Sequence, residues 1–130
     1  MNNRPASAIL VPMTASLGPA VGIDLGTTFS AVARLDDTGR PVTVSNAEGD
    51  LTTPSVVLFD GDDVVVGKEA VKAIATEAER VADCAKRDMG SREYRRIVDN
   101  KKFSPEVLQA YILKKLHDDV VAFIESTSGK

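Results

Sequence analysis

The chain has 130 residues, enough for one domain or for a piece of a larger one, and a globule of that length buries about two-thirds of its unfolded surface. Its 43% hydrophobic and 27% charged residues suit a soluble globule, while a net charge of −3 and the lack of tryptophan argue against a nucleic-acid surface, which wants a basic excess and stacking rings. A single cysteine, Cys84, and a single histidine, His117, exclude an intrachain disulfide and a Cys/His zinc site, and they fit reducing, cytoplasmic surroundings with Cys84 as a structural thiol.

Residues 1–20 read as a flexible N-terminal extension. Their apolar part, Ala8 to Met13, is short and interrupted by Pro12, a poor match to a secretory signal. No run anywhere approaches the length that spans a membrane. From Val21 the pattern is strand-like through "AVGID", "FSAVARLD" and "PVTVSN", with "DDTG" (Asp36–Gly39) supplying turn chemistry between the second and third. After the polar loop "AEGDLTTP", the β-branched runs "SVVLFD" and "VVVG" flank "GDD" as a further hairpin. The first 70 residues thus predict a β-meander of about five strands.

Helical periodicity takes over at Lys68, where Ala70, Ile74, Ala78 and Val81 fall at spacings of three and four. The stretch "RDMGSREYRRIVDNKKF" is densely charged, is broken by Gly90, and reads as an irregular surface connection. Ser104 as N-cap, Pro105 at the first helical position and Glu106 at the positive end of the dipole open the last helix. Leu108, Ile112, Leu116, Val120 and Phe123 or Ile124 form its apolar stripe. Little chain remains to cover that stripe. The expectation is therefore the first part of a larger α/β domain, with residues 21–130 incomplete alone and prone to self-association through sheet edges and the bare helix.

One corner carries chemistry. In "VGIDLGTTFSAVARLD" a strand ends on Asp24 and meets Gly26, Thr27 and Thr28 before the next strand, with no helix between. Gly26 permits a turn with positive φ, successive amides can form an anion nest, and the threonine hydroxyls add phosphate donors. Asp24 suits a hydrated Mg²⁺, which prefers oxygen ligands and keeps waters. Neither a P-loop nor a Rossmann fingerprint is present. On the pattern alone, a hairpin turn with internally satisfied Asp and Thr side chains is an equal reading.

Four stretches together resemble the seventy-kilodalton heat-shock chaperones, the DnaK-type family within the actin-like ATPase superfamily. They are "GIDLGTTFSAVA", "EGDLTTPSVVLFDGDDVVVGKEA", "DCAKRDMG" and "FSPEVLQAYILKKLHDDVVAFI", in the family's order and covering residues 21 to about 125. The resemblance implies an α/β fold, lobe I of the ribonuclease H-like ATPase domain. It implies ATP or ADP with Mg²⁺ as ligands, a cytoplasmic stress-response chaperone as the parent, and three kinds of partner: unfolded polypeptide clients, a J-domain co-chaperone and a nucleotide exchange factor. It further implies that Asp24 binds Mg²⁺ through water, that Gly26 is the turn glycine, that Thr27 and Thr28 contact phosphate, and that Lys86 is the catalytic lysine placed near the γ-phosphate.

Departures from the family pattern are Phe29 in place of Asn or Tyr, Asp88 at an apolar position beside Lys86, and Ser91 in place of a basic residue. The other readings are a sugar kinase of the same superfamily and a non-enzymatic module that keeps the fold and binds a protein. For the 130 residues alone the expectation is no significant ATPase activity and at most weak nucleotide binding.

Overall fold

The structure, a computed structural model, describes residues 19–128, so residues 1–18 of the expected extension lie outside the described residues. Strands β1 (Val21–Asp24) and β2 (Phe29–Leu35) pair antiparallel, with Val21 opposite Arg34 and Asp24 opposite Ala31. β3 (Pro41–Thr43) continues this sheet beyond β2. The turn between β2 and β3 is organised by one carboxylate. Asp36 Oδ1 accepts the Thr38 amide (2.8 Å), the Thr38 hydroxyl (2.6 Å) and the Arg40 amide (2.9 Å). The short β4 (Thr53–Pro54) lies against the start of β2, Ser30 opposite Thr53.

A second antiparallel sheet holds β5 (Val56–Asp60) between β6 (Asp63–Val66) and β7 (Val81–Asp83). The β5–β6 turn places Gly61, at φ +63°, first of the two loop residues, where a mirrored two-residue hairpin turn takes glycine. Helix α1 (Lys68–Glu77) covers one face of this sheet and α2 (Pro105–Ser128) the other. Because strand side chains alternate, β5 sends Val56 and Leu58 to Ala70 and Ala73 of α1, and Val57 and Phe59 to the α2 side. Phe59 stacks on Phe103 (4.6 Å) and meets Tyr111 edge-on (5.6 Å). A strand buried on both faces needs an unbroken apolar run, and "VVLF" is that run.

The stripe of α2 is not bare. Leu108, Ile112, Leu116 and Val120 are buried with Val32 and Val44 from the first sheet's side and Val57, Phe59 and Val66 from the second. One helix therefore closes a core shared by both sheets, so its apolar stripe is not a reason for self-association. Lys115 adds a polar tie, pairing with Asp119 (2.8 Å) on its own helix and with Glu48 (2.8 Å) in the loop before β4. Burial pulls its ammonium pKa down, but the two carboxylates outweigh burial and hold it above the usual lysine value.

The strand-rich first half followed by helices is as the sequence predicts, with the strands divided between two sheets. The helical stripe through Val81 stops early. α1 ends at Glu77, a short 3-10 turn spans Ala78–Arg80, and Val81 pairs with Leu58 as part of β7. Ile74, assigned to the inner stripe, is exposed, and Ala73 takes its place inside. The charged stretch that follows is irregular as expected, yet two of its residues, Tyr94 and Val98, are buried and pin it to the core. The Tyr94 hydroxyl donates to the Asp83 carbonyl (2.7 Å) and accepts from the Asp83 amide (3.1 Å) and the Arg96 guanidinium (2.9 Å).

Candidate functional site

The corner between β1 and β2 is an open loop of residues 25–28 rather than a tight hairpin turn. Gly26 is required there, but not for the reason its type suggests. Its φ is not in the left-handed region; a Cβ at this position would collide with the carbonyl oxygen of Phe29. The close approach is internal, chain against chain. Asp24, the last residue of β1, is exposed, and its carboxylate joins no ion pair or hydrogen bond among the described residues. Gly26, Thr27 and Thr28 likewise donate their amides to no backbone group among those residues.

The loop is held from behind by β4 and the residue after it. The Ser55 amide donates to the Thr28 carbonyl (2.8 Å), and the Ser55 hydroxyl donates to the Gly26 carbonyl (2.9 Å). Ser55 also meets the Ser30 hydroxyl at 2.9 Å; both serines are nearly fully buried. β4 is set in turn by Asn46, which donates to the Thr53 hydroxyl (3.0 Å) and the Thr52 carbonyl (3.2 Å) while accepting the amides of Glu48 and Asp50. The segment "NAEGDLTTPS" is thus a bracket for the corner. The residue types were visible in the sequence, but the partners of Ser55 and Asn46 were not, because they lie 29 and 7 residues away across a fold.

Lys86 arrives from a segment 61 residues further along the chain than Leu25. β7 ends at Asp83, Cys84 turns the backbone with a left-handed φ of +53°, and a 3-10 turn spans Ala85–Asp88. Ala85 is buried in the core, which fixes the turn and sends the next side chain outward. Lys86 Nζ donates to the Leu25 carbonyl at 2.8 Å, across 61 residues of sequence. The polar Asp88 is accommodated rather than disruptive. Its carboxylate accepts the Arg95 amide (2.9 Å) and pairs with the Arg95 guanidinium (3.3 Å), whose Nη2 also reaches the Cys84 carbonyl (2.8 Å).

Beside the corner lies a groove of about 420 Å³, lined by Thr27, Thr28 and Phe29, by Val71 and Ile74 of α1, and by Cys84. Phe29 is more than half exposed and forms part of this lining. Its ring closes no core.

The structure therefore places Asp24, Gly26, Thr27 and Thr28 at one corner and ties Lys86 to it through the Leu25 carbonyl: a solvent-facing carboxylate, amides and hydroxyls without acceptors, and a lysine ammonium. That donor set fits a phosphate with a hydrated divalent cation, since carboxylate oxygen suits Mg²⁺ and N–H, O–H and ammonium groups suit phosphate oxygens. It is carried on an antiparallel α/β scaffold with a helix on each face of the second sheet, the architecture of an actin-like ATPase lobe.

Comparison with known families makes the assignment specific. The family model for the Hsp70 protein matches residues 20–101, more than half of the chain, and the chain belongs to that family. In general terms it is chaperone ATPase domain, from a family that binds ATP or ADP with Mg²⁺ and works with client polypeptides and co-chaperones. No described helix is long and apolar enough to cross a membrane.

Proposed function

We propose that residues 21–130 form the first part of lobe I of a nucleotide-binding domain and supply one wall of its ATP site. In this reading Thr27 and Thr28 receive phosphate oxygens, Asp24 holds water of a Mg²⁺ ion, and Lys86 is the catalytic lysine of a cytoplasmic, stress-related chaperone. The observation that carries the reading is the 2.8 Å contact between Lys86 and Leu25, which joins the two separate segments whose roles depend on sharing one site.

The chemistry asks little of the protein beyond placement. Phosphoryl transfer is catalysed by positioning and by charge set against charge. When bound, Mg²⁺ would neutralise phosphate charge and orient water. The chain's own part is to present amides and hydroxyls from a braced loop, to keep the Asp24 carboxylate in solvent where it can accept from coordinated water, and to keep the Lys86 ammonium within reach of the corner. With Lys86 on the Leu25 carbonyl, a modest swing of a long side chain redirects it toward a phosphate oxygen. Contacts from a second lobe would supply the remaining affinity, so this chain alone binds nucleotide weakly.

The reading is tested by titrating the 130-residue chain with Mg²⁺-ATP while following its amide resonances. Shifts concentrated at 24–28 and at 85–87, lost in Lys86→Ala and made Mg²⁺-independent in Asp24→Ala, are expected. Shifts concentrated elsewhere, or unchanged in both variants, would refute it.

A further inference from the structure

We propose that Ser55 is the positioning residue of the corner, the group that aims the Thr27 amide into the space a phosphate would occupy. The inference deepens the reading above and rests on it. A serine hydroxyl has a single proton. The Gly26 carbonyl can only accept, so the proton of Ser55 is committed there, and the 2.9 Å contact between the two hydroxyls must be Ser30 donating to Ser55. Ser30, 1% exposed, thus donates to Ser55, 3% exposed, while Ser55 itself holds the Gly26 carbonyl and with it the loop.

The consequence follows from peptide geometry. In a trans peptide the C=O and the following N–H point to opposite sides, and the described chain has no cis peptide. Drawing the Gly26 oxygen inward against Ser55 therefore turns the Thr27 N–H outward. Lys86 acts likewise on the preceding unit: with the Leu25 oxygen held by its ammonium, the Gly26 N–H faces away from Lys86. Two consecutive peptide planes are held by their oxygens, and the Thr27 amide is left as a donor on the side away from Ser55. Ser55 further grips the far side of the loop through its amide on the Thr28 oxygen. Pre-set donors bind an anion without first paying to reorganise, so losing the clamp lowers affinity even where the fold survives.

The test compares Ser55→Ala, Ser55→Cys and Ser30→Ala in the 130-residue chain. Each variant's urea-unfolding midpoint is measured, along with its affinity for Mg²⁺-pyrophosphate, read from the Gly26 and Thr27 amide resonances. Both alanine variants lose a buried hydrogen bond and fall in stability. Only Ser55→Ala is expected to weaken pyrophosphate binding, roughly three- to tenfold, with Ser30→Ala within about twofold of the parent. Ser55→Cys, a weaker donor of similar size, falls between, and decides the matter should the alanine variant not fold. Parent-like affinity in Ser55→Ala or Ser55→Cys overturns the inference, as does an equal loss in Ser30→Ala. A parent chain that binds pyrophosphate elsewhere, or not at all, instead overturns the reading of the corner and this inference with it.

Discussion

The two sheets of this chain are held by different forces. In the second, β5 is buried on both faces between α1 and α2, and its neighbours interlock through Val66, Val81 and Ala82. In the first, β1 and β3 are largely exposed, and Ile23, Leu35 and Val42 face outward. What shapes the β1–β2 corner of that sheet is polar: Ser55 on the Gly26 and Thr28 carbonyls, Asn46 on Thr53, Lys86 on Leu25. Apolar packing is non-directional and gives stability, whereas hydrogen bonds fix orientation at little net gain in free energy. A site that must aim donors belongs on the second kind of structure, braced by the first.

The widest test of this contrast is truncation in the shared core. Ile112→Ala, at a position 1% exposed and facing both sheets, is expected to cost about 2–5 kcal/mol. Its unfolding should remain a single transition when followed at residues of either sheet. Two separated transitions would show that α2 does not unite them.

Gly26→Ala probes the other region. Relief of the clash with the Phe29 carbonyl must displace the loop, at a cost of about 1–3 kcal/mol. Amide shifts should be confined to the corner, with β5 and α2 unaltered. An unperturbed corner would mean that the loop is not held as described.

Tyr94→Phe sharpens the boundary between the two kinds of structure, since Tyr94 is both buried and hydrogen-bonded to β7. The loss is expected at about 1–3 kcal/mol, with faster hydrogen exchange at Asp83 and the segment 91–98. An unchanged exchange pattern would assign its role to the ring alone.

The smallest effect is expected at the β2–β3 turn. The Thr38 hydroxyl and then the Arg40 amide, both donating to Asp36, hold its carboxyl pKa below the usual aspartate value. A depressed folded-state pKa contributes stability above the unfolded value, and that contribution fades as pH falls through the folded one. Acidification below the ordinary aspartate range should therefore loosen residues 36–40 before the core responds, and Asp36→Ala should abolish this step. Amide exchange against pH measures it; an acid response identical in Asp36→Ala would remove the carboxylate as its cause.

Much of this was legible in advance where the cause was local. The "DDTG" turn works through Asp36 contacts only two and four residues away, and "GDD" closes β5 on β6. Ser104 caps α2 by accepting the Val107 amide at 3.3 Å, three residues on. β7 was not legible: three residues are too few to show a period, and Val81 fell by chance on the helical spacing of Ala70, Ile74 and Ala78. Its strand character comes from Leu58, 23 positions earlier. Tyr94 hid in a run of arginines because burial of a side chain flanked by charges is decided by what lies opposite it.

The sequence by itself determined most of the elements and the chemical kinds at the candidate corner, a carboxylate, a glycine, two threonines and a lysine, for which the family resemblance implies roles. Helix caps, turns and apolar runs act over a few residues and can be read along a line. Tertiary structure alone decided that α2 covers both sheets and that Lys86 reaches Leu25. It also decided that Gly26 is demanded by the Phe29 carbonyl rather than by its own φ, and that Ser55 holds the loop from behind. Apart from the Gly26 clash, which is set by the path of its own loop, each of these depends on groups far apart in sequence that the fold brings into contact, and the hydrogen bonds among them are directed only at about 3 Å.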